Sequence, residues 1–142
     1  MEKKMTGGSK LLKKPNELNA LALAYIGDAV YETYIRRHVL SKGNYKPNIL
    51  HQRTIAYVSA KSQAKIIQGI QAELLEKEKD IVKRGRNMKS YTSPKNTDII
   101  DYRNSTGFEA LIGFLYLQDE IGRLEKIINI AISLVEGNSK SE

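Results

Sequence analysis

At 142 residues the chain is the size of one domain, and a domain this long buries roughly two-thirds of its unfolded surface, enough for a real core. It has no cysteine, which excludes disulfides and thiolate zinc sites, and its two histidines, His38 and His51, do not stand in a metal-ligand spacing. Lys and Arg number 23 against 16 acids, a surplus of +7 that favours polyanionic partners, and neither a signal peptide nor a membrane-length apolar run is visible, so the expectation is a cytoplasmic protein that uses no membrane.

Residues 1–15, with Lys3, Lys4, Lys10, Lys13 and Lys14 around Gly7 and Gly8, read as a flexible basic tail. Pro15-Asn16 reads as a helix start with Asn16 as cap, and the helix should run to about Leu40 and end near Gly43. Its first half, LNALALAYIGDAVY, is apolar and rich in small residues that let another backbone come close; its one charge is Asp28. Glu32 and Arg36 follow at helical spacing and read as a plain ion pair. Asn48 can cap a second helix with Ile49, Leu50, Thr54, Tyr57 and Val58 on its buried side, and Ser59 reads as a fresh cap that breaks it. His51 beside that apolar side reads as a hydrogen-bonded structural residue. Beyond the break, Ala64, Ile67, Ile70 and Leu74 recur at helical spacing.

Residues 73–87 should form a short charged helix anchored by Leu74, Leu75, Ile81 and Val82, with Gly85 helping to end it. From Met88 to Ser105 the sequence MKSYTSPKNTDIIDYRNS reads as one long irregular stretch, a length that in a compact domain signals function or disorder. A second apolar helix, Gly107 to Gln118, carries one charge, Glu109. Asp119 is expected to cap a last helix, in which Leu124, Ile127, Ile128, Ala131, Leu134 and Val135 keep a clean 3,4 spacing before Gly137 ends it. Period-2 alternation is nowhere sustained, so the fold class is all-α, with residues 16–137 as the domain and 138–142 as a tail.

Two carboxylates, each alone in an apolar helix, require compensation. If Asp28 and Glu109 meet, they suit a divalent ion such as magnesium, which takes oxygen ligands and is often held by one or two carboxylates plus substrate phosphates. The alternatives are pairing with a lysine or arginine, or exposure to water in a cleft. A basic cluster, Lys83, Arg84, Arg86, Lys89 and Lys95, interleaved with Asn87 and Asn96, has the composition for phosphate and sugar contacts. Helix polarity alone would favour Lys83 and Arg84 at a C-terminus, but not the extension of the cluster into the loop.

YIGDAVYE and FEALIGFLY together resemble the ribonuclease III catalytic domain, whose signature runs roughly E-F-L-G-D-S-V-L with a later D-x-x-E-A-L-I-G. The chain length, LALAYIGDAVYE, KRGRNMKS, and PKNTD ahead of FEALIG are similar still more closely to Mini-ribonuclease III, the bacterial subfamily built of a catalytic domain alone. The resemblance spans about residues 16 to 135. Asp28 matches the aspartate of the first signature and Glu109 the glutamate of the second, which implies that both are catalytic and metal-binding. Ala24 and Thr106 stand where the wider family has further acids; the subfamily similarly lacks them, and Thr106 is read as orienting a water. The resemblance implies an α-helical ribonuclease III endonuclease fold and a Mg2+-dependent endoribonuclease for double-stranded RNA. It implies a homodimer with two sites along one RNA valley, each cutting one strand to leave a short 3′ overhang, in maturation of the large-subunit (23S) ribosomal RNA precursor. With no room for a separate RNA-binding domain, the grip falls to Lys83, Arg84, Arg86, Asn87, Lys89, Lys95 and Asn96. The rival readings are a non-cutting structured-RNA or ribosome-binding module of the same fold, and a helical DNA-binding regulator.

Overall fold

The computed structural model describes residues 8–88 and 98–137. Among them there are only helices: α1 (Ala20–Lys42), α2 (Pro47–Val58), α3 (Ala60–Gly69), α4 (Glu76–Asn87), α5 (Ile99–Leu117) and α6 (Ile121–Glu136), with 3-10 turns at Pro15–Glu17 and Gln71–Glu73. The all-α expectation holds. No described helix is long and apolar enough to cross a membrane.

The molecule is built around α5. From Ser105 to Leu115 every residue but Glu109 is buried, because α1, α3, α4 and α6 all pack on it. A helix apolar on all sides is stable only when so surrounded. Two glycine contacts set how closely it is approached. A Cβ on Gly27 of α1 would lie 1.8 Å from the Glu109 carbonyl oxygen, and one on Gly113 of α5 would lie 2.0 Å from that of Leu23, so α1 and α5 cross backbone to backbone. On the other side Gly85 of α4 meets Gly107 of α5, where an added Cβ would come within 2.9 Å of the Gly107 Cα. Gly85 therefore does not end its helix; α4 runs two residues further, to Asn87.

The core follows from this arrangement. Tyr31 packs edge-on against Phe108 with ring centroids 4.9 Å apart, and its hydroxyl donates to the Tyr57 carbonyl at 3.1 Å. Ala64, Ile67, Ile70 and Leu74 are all buried, as their spacing requires. Ser59 accepts from the Ser62 amide at 3.2 Å and separates α2 from α3. Arg36 pairs with Glu32.

Several boundaries differ from expectation. Asn19, not Asn16, caps α1, accepting from the Leu21 amide at 2.7 Å, while Pro15–Glu17 is a separate turn. The α2 helix starts on Pro47, so Asn48 lies inside it. Leu75 is exposed, and α4 begins at Glu76. Residues 99–105 are not irregular: Asp98 accepts from the amides of Ile100 and Asp101 at 2.8 and 3.1 Å and starts α5 there. Asp119 does not cap α6; it takes a left-handed turn with φ 60°, and Glu120 occupies the cap position. Gly137 ends α6 as expected, with φ 70°.

Polar ties lock the periphery. Glu78 is fully buried, and its carboxylate accepts from Arg123 Nε and Nη2, each at 2.7 Å, and from the Leu75 amide at 2.8 Å. Burial alone would raise the Glu78 pKa; the Arg123 and Leu75 hydrogen bonds outweigh it and hold the carboxyl below its ordinary range. At the far end, Glu136 of α6 meets His38 Nε2 at 2.6 Å and accepts from the Tyr57 hydroxyl at 2.7 Å, joining α6 to α1 and α2.

Candidate active site

Gly27 brings α1 onto the Glu109 backbone, so the next residue, Asp28, emerges beside the Glu109 side chain. Asp28 is exposed and Glu109 half-buried. Their carboxyl groups lie within hydrogen-bonding reach of each other, and Gln63 of α3 donates from Nε2 to Glu109 Oε2 at 3.3 Å. Three helices thus meet at one point. Asp28 is not paired with a cation within α1; its partner is a second acid.

The electrostatics follow from that juxtaposition. The Glu109 pKa is pushed up to about 8, first by burial and next by the Asp28 charge; the Gln63 hydrogen bond opposes the rise and the contact with Asp28 adds to it. Two acids this close cannot both ionise freely, and one holds a proton near neutral pH. A divalent cation relieves the same conflict by supplying positive charge. The donor set fits one: two hard carboxylates, the exposed Asp28 leaving the solvent side open to retained waters. Among the described residues no cluster of three or more His, Cys, Asp or Glu exists, so protein carboxylates alone do not fill a coordination shell.

Ala24 is buried one turn before Asp28. Thr106 is also buried, and its hydroxyl donates to the Tyr102 carbonyl at 2.9 Å. That proton is engaged within α5, which leaves the oxygen free only to accept.

The basic end of α4 packs on α5 through Gly85. Gly85 packs against Thr106 and Gly107, and Lys83, Arg86 and Asn87 stand exposed at that end of α4. With Asn19, Asp80 and Met88, Lys83 and Asn87 line an open cleft of about 380 Å3. Arg84 differs from its neighbours: half-buried, it donates to the Asn16 carbonyl at 3.2 Å and the Leu18 carbonyl at 2.7 Å and fastens the segment leading into α1. Lys89, Lys95 and Asn96 lie outside the described residues. His51 is exposed, on a groove between α1 and α2 lined by Val39, Leu40 and Leu50.

Gln63 was not singled out in the sequence. The available signal was a polar residue in register with Ile67 and Ile70 on the buried face of α3.

The Ribonuclease III domain family model matches residues 21–120. The chain belongs to the ribonuclease III family. It is 52% identical to Mini-ribonuclease 3 of Streptococcus pneumoniae over 86% of this chain and 97% of that protein. It is 48% identical to Mini-ribonuclease 3 of a Thermoanaerobacter species, over 96% and 99%. A crystal structure of a Fusobacterium nucleatum protein superposes with a TM-score of 0.76 at 36% identity, covering 85% of this chain and 97% of that one. Membership places the chain among endoribonucleases, in the Mini-ribonuclease 3 branch, and agrees with the resemblance carried by YIGDAVYE and FEALIGFLY.

Proposed function

We propose that the chain is a magnesium-dependent endoribonuclease that cleaves double-stranded RNA as a cytoplasmic homodimer, with residues 16–137 as the catalytic unit. The observation that carries this reading is the meeting of Asp28 and Glu109, two acids on different helices that no lysine or arginine among the described residues bridges. Folding a like-charged pair into contact costs stability, and such pairs are found where chemistry needs them. When bound between them, Mg2+ would stabilise charge on the scissile phosphodiester and lower the pKa of an attacking water. The protein's own part is positional. Asp28 faces outward, where a phosphate arrives; Glu109 is set deeper, gripped by Gln63; Lys83, Arg86 and Asn87, exposed at the end of α4, offer phosphate and sugar contacts, with Lys89, Lys95 and Asn96 continuing the same basic run. Double-stranded RNA is gripped through backbone and 2′-hydroxyl groups, so this grip needs no base-stacking aromatics.

The homodimer is favoured by the exposed face of α1. Leu21, Ala22, Tyr25 and Ala29 form an apolar strip next to Asp28, and Tyr25 is 82% exposed. Such a patch beside a site is a candidate for coverage by a second copy. Action on the 23S ribosomal RNA precursor rests on the similarity to Mini-ribonuclease 3.

The test is cleavage of a labelled RNA duplex with Mg2+, comparing wild type, Asp28→Asn and Glu109→Gln, with duplex binding measured in parallel. Cleavage by wild type alone, with equal binding by all three, is expected. Binding by wild type without cleavage of any duplex, ribosomal precursors included, would replace the enzyme with a binding module.

A further inference from the structure

Gln63 is 1% exposed, and its amide is only half satisfied. Nε2 donates to the Val58 carbonyl at 2.9 Å and to Glu109 Oε2 at 3.3 Å. Oε1 is buried and has no hydrogen-bond partner, alone among the buried side-chain polar atoms of the described residues. Reversing the amide does not help, since it would set Oε1 against the Val58 carbonyl and leave the nitrogen without acceptors. A buried acceptor without a donor costs free energy, and proteins rarely keep one without a use. The Val58 bond accounts for the nitrogen, because it satisfies a carbonyl at the C-terminal end of α2. It does not account for the oxygen.

The amide is planar, so the orphaned oxygen sits beside the nitrogen that touches Glu109. The pair itself is short of oxygens: Ala24 offers none, and the Thr106 hydroxyl is turned to its own helix. We propose that Gln63 is a positioning residue of the metal site, its amide nitrogen orienting the Glu109 carboxylate and its orphaned amide oxygen accepting from a hydration water of a divalent cation held by Asp28 and Glu109. This rests on the metal-dependent reading given above. Hydrogen-bonded partners of metal ligands typically change metal affinity 10–100-fold when removed, and magnesium-like ions keep several waters for such contacts.

The experiment is Mn2+ binding to the full chain without RNA, followed by electron paramagnetic resonance of free Mn2+, together with thermal unfolding in EDTA. Asp28→Asn tests the site: undiminished binding there would remove the metal reading and Gln63's role with it. Given loss in Asp28→Asn, Gln63→Leu should bind Mn2+ about 10–100-fold more weakly, with an unfolding midpoint in EDTA close to wild type, since the apolar side chain removes the orphaned acceptor as it removes the Val58 bond. Wild-type affinity in Gln63→Leu would overturn the proposal and leave the metal site standing. Gln63→Met keeps the length of the side chain without the amide and should lose Mn2+ affinity as the leucine variant does. Wild-type affinity there would likewise refute the proposal, and this arm decides the matter if Gln63→Leu does not fold. A merely structural glutamine predicts the reverse pattern: a lowered midpoint and unchanged Mn2+ affinity.

Discussion

Glu109 should make the metal-free protein less stable as pH rises, and Glu109→Gln should abolish that dependence. The unfolded chain ionises this carboxyl near its ordinary value of 4.5, whereas the folded protein holds the proton until about pH 8. Between those values the unfolded state has released a proton that the folded state keeps, so stability falls with rising pH and levels off above the folded value. Each unit of separation is worth about 1.4 kcal/mol. The penalty is thus under about 1 kcal/mol at pH 5, about 3 kcal/mol at pH 7, and greatest above pH 8. A domain of this size shifts its midpoint by roughly 3–5 °C per kcal/mol. In EDTA, Glu109→Gln should therefore unfold within a few degrees of the wild-type temperature at pH 5 and on the order of 10–20 °C higher at pH 8. The assay is thermal unfolding by circular dichroism across pH 5 to 9. Parallel pH profiles for the two proteins would refute the reasoning, because the acid pair would then carry no folding penalty.

Gly27→Ala should cost about 3 kcal/mol or more and abolish RNA cleavage, since the new Cβ would meet the Glu109 carbonyl at 1.8 Å and force α1 off α5; Gly122→Ala, which meets nothing within 4 Å, is the matched control and should be neutral or stabilising by about 0.5 kcal/mol in urea unfolding. Arg123→Ala should destabilise by about 3–5 kcal/mol because it leaves the Glu78 carboxylate buried without its cation. The Glu78 contribution, from a carboxyl held below its ordinary range, should be present above pH 4.5 and lost as the pH falls below it. Lys83→Ala should lower the salt slope of duplex-RNA binding by about one unit with an unchanged unfolding midpoint. Arg84→Ala should in addition lower that midpoint, because its guanidinium also holds the Asn16 and Leu18 carbonyls.

The elements that were legible were those whose apolar residues repeat with the helical period and whose ends carry a strong cap. The buried side of α3 and the Gly137 end of α6 are of this kind. The start of α5 was not, because Ser93-Pro94 and Lys95-Asn96, residue pairs favoured in turns, drew the irregular stretch seven residues too far. Asp98, which accepts from two amides, was the cap within it. Gly85 misled for a related reason. Near a helix end a glycine signals termination, yet here its missing Cβ serves the contact with Gly107, a relation between two helices that no local pattern contains. Asp28 and Glu109 stood out because a charge in an apolar helix is conspicuous. Gln63 did not, since an uncharged polar residue on a buried face carries no such contrast.

The crossing of α1 and α5 links folding to the proposed chemistry. Gly27 and Gly113 let the two backbones touch, and that contact is what presses one carboxyl toward burial and against another. A looser crossing would hydrate both acids and remove the conflict, and with it the tight oxygen pair. The same closeness makes the apo protein less stable at high pH and gives a divalent cation more to relieve. Any ion bound only by the folded state adds stability as RT ln(1 + [ion]/Kd), and the gain should grow with pH as Glu109 gives up its proton to make way for the ion. With the proposed metal site, folding stability, metal affinity and pH become one coupled quantity. Saturating Mn2+ should flatten the wild-type pH profile toward that of Glu109→Gln, and should leave the profile of Glu109→Gln itself nearly unchanged.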